Sequence, residues 1–376
     1  MTDRVRVSVV TTTRAEFQIL EPLLSALELD KRFSLQLIAS GTHFSAAHGS
    51  TIDTVRELFP QVTAIDAQFE SSEPLSLVDS CGTLARGMAT YFHREPPDIL
   101  IVLGDRFELL SVAQAAILLG VPIAHLHGGE ITLGAIDDLV RNALTQLASL
   151  HLVAADAFAE RVRMLGAEPS SVHVVGSLGV EAVLANYSDD RAEALRVTGL
   201  LEGPYVVVAL HPETRGPNSI EKLFESVRGA LDPLHHLGAI VTHPNTDVGG
   251  DELTCLLKEW CRERPNTRFI ESLGRDFATV VGHAEAIVGN SSSALIEAPA
   301  LGTPSVSVGD RQRGRPHAAS VRAVPAEPHA VRGAIETVTR DAVQSASLPY
   351  GGYGASARVI DALLDFFSTE RDIVKR

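Results

Sequence analysis

Asp105 closes an unbroken apolar run, Ile99-Leu100-Ile101-Val102-Leu103-Gly104, and a carboxylate there can do one of two things. Partly desolvated, it can be tuned as an acid or base; alternatively it caps the helix that follows. Six further polar groups sit at the same kind of place, directly after a short apolar run. Arg14 follows Val5–Val10, Gly41-Thr42-His43 follows Leu35–Ala39, and His127-Gly128-Gly129-Glu130 follows Ile123–Leu126. In the second half His211-Pro212, His243-Pro244-Asn245 and Gly289-Asn290-Ser291-Ser292-Ser293 do the same. Loops after strands are polar in any case, so each cluster alone reads equally well as a turn. Seven at one end of their strands favour a shared ligand site, because open α/β sheets bind ligands at strand carboxyl ends.

Two of these groups suggest particular chemistry. The serines of Gly289–Ser293 precede a predicted helix, Ala294-Leu295-Ile296-Glu297-Ala298, so free N–H groups there would suit a diphosphate. Plain N-capping by one Ser or Asn is the other reading. Asp137 and Arg141 have i,i+4 spacing on a predicted helix and share a face, either as a surface ion pair or as part of a site.

The elements that must position these residues are legible as βα repetition. Apolar runs continue with His151–Ala154, Val172–Val175, Tyr205–Leu210, Ala239–Thr242, Arg268–Ile270, Ala286–Val288 and Ser305–Val308. They are apolar on both faces, as expected of parallel strands covered by helices on both sides. A polar, Gly/Pro-containing stretch at Tyr187–Gly203 separates two such series. The expected fold is therefore α/β, with two Rossmann-like domains, 1–186 and 187–376, facing a central cleft. Whether the last helix, Ala355–Phe367, stays with the second domain or packs back on the first is open at this level.

Composition bounds the partners. At 376 residues the chain exceeds one ordinary hydrophobic core. A net charge of −15 argues against general affinity for nucleic acid or anionic membranes. Cys81, Cys255 and Cys261 are three cysteines without metal-ligand spacing, so neither a disulfide framework nor a structural metal is expected, in keeping with a reducing cytoplasm. Val5–Val10 is too short for the apolar core of a signal peptide, and no uncharged apolar stretch is long enough to cross a bilayer. Neither GxGxxG nor GxxxxGK[ST] stands at a strand–helix junction, so no bound dinucleotide or other cofactor is expected, and no ATPase activity.

Together, several of these stretches resemble the UDP-N-acetylglucosamine 2-epimerase family, especially its hydrolysing branch. The resemblance rests on Thr13-Arg14, Gly104-Asp105-Arg106-Phe107-Glu108, His125-Leu126-His127-Gly128-Gly129-Glu130, and Ala135-Ile136-Asp137-Asp138 with Arg141. It continues through Gly289–Ser293 to Glu297-Ala298-Pro299 and ends at Gly309-Asp310-Arg311-Gln312-Arg313-Gly314-Arg315. It implies a fold like the GT-B glycosyltransferases, a UDP-sugar ligand and a homodimer or homotetramer. UDP-binding roles would fall to Arg14, His243, Asn290, Ser291, Ser292, Glu297 and Arg313, and catalytic roles to Asp105, His127, Glu130, Asp137, Arg141 and His211. In many members a glutamate occupies the position of His127. An imidazole is a competent base at about neutral pH but brings no negative charge to a cationic sugar carbon. The His-x-His-Gly-Gly-Glu form resembles members acting on 2,4-diacetamido sugars. A glycosyltransferase of the same fold is the alternative activity, and a non-catalytic sugar-nucleotide sensor a third reading.

Overall fold

A computed structural model of the chain describes residues 4–45, 50–71, 73–132, 136–213, 218–244, 249–340 and 347–374. Asn245 and Ala135, both within motifs named above, lie outside the described residues. The chain forms two units. The first comprises Met1–Glu130, Ile136–Ala182 and Gly354–Arg376, and the second Ile131–Ala135 and Val183–Tyr353.

The first unit is built on seven strands: β1 (Val5–Thr11), β2 (Phe33–Ala39), β3 (Thr63–Ala64), β4 (Ile99–Leu103), β5 (Ile123–Leu126), β6 (Leu150–Val153) and β7 (Val172–Val174). All pair in parallel, in the order β3-β2-β1-β4-β5-β6-β7. The strand order therefore reverses between β1 and β4, where the loops leaving the two neighbours turn to opposite faces of the sheet. β4 shows why its sequence is apolar throughout. Ile99, Ile101 and Leu103 join a core with the helices Arg14–Leu29 and Ala355–Val374, while Leu100 and Val102 join another with the helices Pro74–Arg94 and Leu109–Leu118.

The C-terminal helix Ala355–Val374 completes the first of these cores with Ala355, Val359, Ile360 and Leu363. It is seven residues longer than the Ala355–Phe367 read from the sequence. Its N-terminus is tied down by Glu181, whose carboxylate accepts from the Gly354 and Ser356 amides at 3.2 and 2.7 Å and from Ser356 Oγ at 2.6 Å. Those amides are the ones a helix start leaves without intrahelical partners.

The second unit carries β8 (Tyr205–Ala209), β9 (Gly238–Thr242), β10 (Thr267–Ile270), β11 (Ala286–Gly289), β12 (Ser305–Val308) and β13 (Val321–Val324). They are again all parallel, in the order β10-β9-β8-β11-β12-β13, with the reversal between β8 and β11. At that reversal Gly289 has φ +144°, and a Cβ on it would run into the Ala209 carbonyl. A side chain there would force β8 and β11 apart at the end where their loops diverge. Among the described residues no helix is long and apolar enough to cross a membrane.

Leu363 is fully buried. Leu363→Ala is expected to cost about 3 kcal/mol. Amide hydrogen exchange should locate that loss in β1, β4 and β6, with β8 to β13 unaffected.

Candidate active site

The first unit gathers Asp105 and Glu130 around the guanidinium of Arg141. Arg141 lies one turn into the helix Asp137–Leu147 and is 3 % exposed. One of its terminal nitrogens pairs with Asp105 Oδ2, and the other donates to the Glu130 carbonyl at 2.9 Å. It also approaches Asp138 Oδ1 at 3.5 Å. Arg161, from the helix Asp156–Met164, supports the same frame, donating to the Glu130 carbonyl at 2.8 Å and to Asp138 Oδ2 at 3.3 Å. Of the Asp137/Arg141 pair read from spacing, Arg141 thus lies in a buried cluster, met from its own helix by Asp138, the neighbour of Asp137.

His127 stands directly after β5 with φ +60°, a left-handed backbone unusual for a side-chain-bearing residue. Its ring is held at Nδ1, which donates to Glu130 Oε1 at 2.9 Å. Nε2 is buried and has no hydrogen-bond partner among the described residues. A ring whose one nitrogen is anchored on a carboxylate presents the other for proton transfer.

His125, two residues back along β5, positions the opposite side. Its Nε2 donates to the Gly104 carbonyl at 2.7 Å and its Nδ1 meets the Thr145 hydroxyl at 3.2 Å. Burial pushes the imidazole down to about 3, so it is a fixed neutral strut for the turn carrying Asp105.

At the β1/β4 reversal the Arg14 side chain is exposed at the start of the helix Arg14–Leu29, with no partner among the described residues. Close by are residues to which the sequence reading gave no role: Glu16, and Arg106 and Glu108 of the Gly104–Glu108 motif. Thr13-Arg14-Ala15-Glu16 has the form of a capping box, in which a Ser or Thr and a Glu three residues later satisfy the helix start. Thr13 Oγ1 does accept from the Glu16 amide, at 3.2 Å. Glu16 Oε2 reaches one residue further back, to the Thr12 amide and hydroxyl at 2.7 and 2.8 Å.

In the second unit His211 follows β8 and Asn290 follows β11, so the two face each other across the reversal. The Asn290 amide is fully buried: it accepts from the His211 amide at 2.7 Å and donates to the His211 carbonyl at 2.8 Å. Arg311 and Gln312 in turn donate to the Asn290 carbonyl at 3.2 and 3.0 Å. Asn290 therefore clasps the backbone that carries His211. Burial, with the nearby charges of Arg311 and His243, pushes His211 down to about 3. His243 itself is tied to the Pro244 carbonyl at 2.6 Å and lies 3.5 Å from Glu271.

The helix expected after Ser291–Ser293 is broken. A 3-10 turn at Ser292–Ala294 is followed by a single α turn, Glu297–Ala300. Pro299 contributes to the break, since it offers no N–H to the Leu295 carbonyl four residues back. Ser291 Oγ caps the 3-10 turn by accepting from the Ser293 amide at 3.3 Å. With so short an element the macrodipole is small, and any anion there would rely on individual N–H and hydroxyl groups. Beside this turn a cavity of about 790 Å³ is lined by Leu295, Gly309, Gln312, Arg313, Arg315 and Pro325, among others. Arg313 is exposed at its rim, and Arg315 donates to the Ile131 carbonyl at 2.8 Å. Among the described residues no group of three or more His, Cys, Asp or Glu side chains is arranged to hold a metal ion.

Known proteins share this architecture and sequence. The model of the UDP-N-acetylglucosamine 2-epimerase family matches residues 25–364. Polysialic acid biosynthesis protein P7 of Escherichia coli is 32 % identical over 368 residues, covering 96 % of this chain and 94 % of that protein. The hydrolysing GDP/UDP-N,N'-diacetylbacillosamine 2-epimerase of Campylobacter jejuni is 32 % identical over 316 residues, 82 % of each chain. Methanocaldococcus jannaschii UDP-GlcNAc 2-epimerase, solved in complex with UDP-GlcNAc and UDP, superposes with a TM-score of 0.78 at 18 % identity, covering 96 % of this chain and 99 % of that one. At that identity the likeness is one of fold. The match over nearly the whole length, in family model and relatives alike, establishes that the chain belongs to the UDP-N-acetylglucosamine 2-epimerase family.

Proposed function

We propose that the protein epimerises UDP-N-acetylglucosamine at C2 by eliminating UDP, through a 2-acetamidoglucal, to give N-acetylmannosamine and UDP. The observation that carries this reading is the Arg141 cluster, which ties Asp105 and the His127–Glu130 pair to one buried cation. Epimerisation without a redox cofactor must remove a weakly acidic C2 proton. Loss of UDP eases this, because cationic character at C1 acidifies the neighbouring C–H bond.

In the proposed course the C1–O bond to UDP breaks and its electron pair leaves with the phosphate. His127 Nε2 takes the C2 proton, the C2–H electron pair forms the C1–C2 double bond, and Glu130 stabilises the imidazolium through Nδ1–H. The negative charge that His127 lacks, compared with a glutamate, is supplied one hydrogen bond away. Asp105 and Asp137 serve the return step, in which water adds at C1 and a proton reaches C2 from the opposite side. Arg14, His211, Ser291 and Ser292 are assigned to the diphosphate, Glu297 to the ribose, and Arg313 and His243 to the rest of the nucleotide. Asn290 acts here by fixing the His211 backbone.

A second reading keeps the same chemistry on a UDP-2,4-diacetamido sugar. The hydrolysing diacetylbacillosamine 2-epimerase of C. jejuni, at 32 % identity, favours it together with the histidine at position 127. We further propose that the chain works as a homodimer or homotetramer in the cytoplasm.

Turnover of UDP-N-acetylglucosamine in deuterated water should place solvent deuterium at C2, read by NMR; an unlabelled C2 in the turned-over sugar would refute the elimination. The same spectra separate free N-acetylmannosamine, which is expected, from UDP-N-acetylmannosamine. Asp105→Asn should lower turnover by about a hundredfold or more while changing UDP affinity by less than about twofold. Full activity in that variant would remove Asp105 from the mechanism.

A further inference from the structure

The turn that carries the assigned base is seated on the helix Asp156–Met164, to which the mechanism above gives no part. Gly129 has φ +76°, and a Cβ on it would stand 2.6 Å from the Phe158 carbonyl oxygen and 2.8 Å from the Val162 side chain. The turn His127–Glu130 is therefore pressed directly against this helix. Arg161 closes the seat. One of its terminal nitrogens donates to the Glu130 carbonyl at 2.8 Å and reaches the Gly129 carbonyl at 3.4 Å, while the other donates to Asp138 Oδ2 at 3.3 Å.

His127 is the reason such a clamp is needed. Its φ of +60° puts a side-chain-bearing residue in the left-handed region, a conformation kept only where the surroundings over-determine it. Its proposed chemistry adds a second requirement. Which nitrogen of a neutral imidazole carries the proton is set by the ring's hydrogen bonds, so Nδ1–H on Glu130 Oε1 at 2.9 Å is what leaves Nε2 as the basic atom. That bond holds only while the Glu130 side chain keeps its place, and it hangs from a backbone whose carbonyl is gripped by two guanidinium groups. Asp138 stands between those two cations, offering Oδ1 to Arg141 and Oδ2 to Arg161. Asn142 Nδ2 donates to the same Oδ2 at 3.2 Å and fixes that carboxylate in turn.

The two guanidinium groups answer to different demands. Arg141 is buried and pairs with Asp105, so charge compensation alone requires it. Arg161 keeps 22 % of its side chain exposed, and its bonds run to two backbone carbonyls and Asp138 rather than to a side chain assigned to move a proton. We propose that Arg161 is a positioning residue for the base: by clamping the Gly129 and Glu130 carbonyls it keeps the Glu130 carboxylate on His127 Nδ1, and so keeps Nε2 free of a proton. Its effect on turnover rests on the epimerase reading; its effect on the His127 tautomer does not. A lysine in its place retains the charge but presents its donors from a single point, which does not serve the carbonyls and Asp138 together.

The test reads the tautomer and the turnover separately on the full chain. 15N NMR of histidine-labelled protein, with the His127 signal identified by its loss in His127→Gln, should show the neutral ring protonated at Nδ1 in the wild type. In Arg161→Lys the Nε2–H form should rise to about half of the neutral ring, and Arg161→Gln should carry the change further. A wild-type ring protonated at Nε2 overturns the proposal whether or not any variant folds. So does an Nδ1–H tautomer that persists in the folded variants, since a merely structural arginine would lower the melting temperature and leave the tautomer alone. In turnover of UDP-N-acetylglucosamine, Arg161→Lys should lower kcat about tenfold and keep KM within about twofold, because proton removal is impaired and binding is not. An unaltered kcat, or a loss confined to KM, overturns the positioning role. If the wild-type protein does not turn over this sugar nucleotide, the substrate reading falls, and the tautomer alone then decides what Arg161 holds in place.

Discussion

A guanidinium taken almost wholly out of water must be met by acceptors on every side, and Arg141 imposes that requirement on the first unit. Its partners arrive from three places in the chain: Asp105 after β4, the Glu130 carbonyl after β5, and Asp138 from its own helix. Each is held by something else in turn. His125 pins the turn bearing Asp105, Arg161 shares the Glu130 carbonyl, and the Glu130 side chain anchors His127. Removing the cation would strip Asp105 of this ion pair and the Glu130 carbonyl of one of its two guanidinium donors. The acid/base groups assigned above are thus positioned by the same contacts that satisfy one buried charge.

Both sheets handle their reversal point alike, by filling it with polar groups that bind each other before they bind anything else. In the second unit the buried Asn290 amide spans from β11 to the His211 backbone after β8. In the first, Glu16 and the Arg106–Glu108 pair occupy the matching position between β1 and β4. A parallel sheet leaves open strand ends there because neighbouring crossovers diverge. Groups placed in that gap must be hydrogen-bonded, and each satisfied group fixes the direction of the loop carrying the next reactive side chain.

Most of this architecture is legible in the sequence, for identifiable reasons. Runs such as Ile99–Leu103 and Tyr205–Ala209 are buried on both faces, so composition alone marks them as interior strands. β3 and β13 escape notice because they are edge strands: one has two residues, and the other, Val321-Arg322-Ala323-Val324, exposes Arg322 and Ala323. The helix expected from Ala294 is interrupted at Leu295 and Ile296, where Pro299 offers the Leu295 carbonyl no N–H. Tyr187–Gly203, polar in sequence, still forms the helix Arg191–Thr198, capped by Asp190 and closed by Gly199 in a left-handed conformation. Candidate site residues are marked in the sequence by type and place, whereas their hydrogen-bond partners are not. Asn290 reads as a ligand contact in Gly-Asn-Ser-Ser, yet its amide is consumed by a backbone 79 residues away. Glu16 looks like a helix cap, yet its carboxylate takes the amide and hydroxyl of Thr12, one residue before the cap.

The C-terminal helix has a bearing on how the protein is made. Ala355, Val359, Ile360 and Leu363 belong to the core of the first unit, while the second unit occupies the chain between Val183 and Tyr353. A ribosome therefore completes the second unit while the first still lacks one wall, leaving Phe17, Leu20 and Leu24 without their final cover. The second unit can close on its own sequence, but the first must wait for the last stretch to emerge. A premature stop near residue 350 would release a chain with one finished unit and one exposed core, making it a ready client for chaperones and proteases.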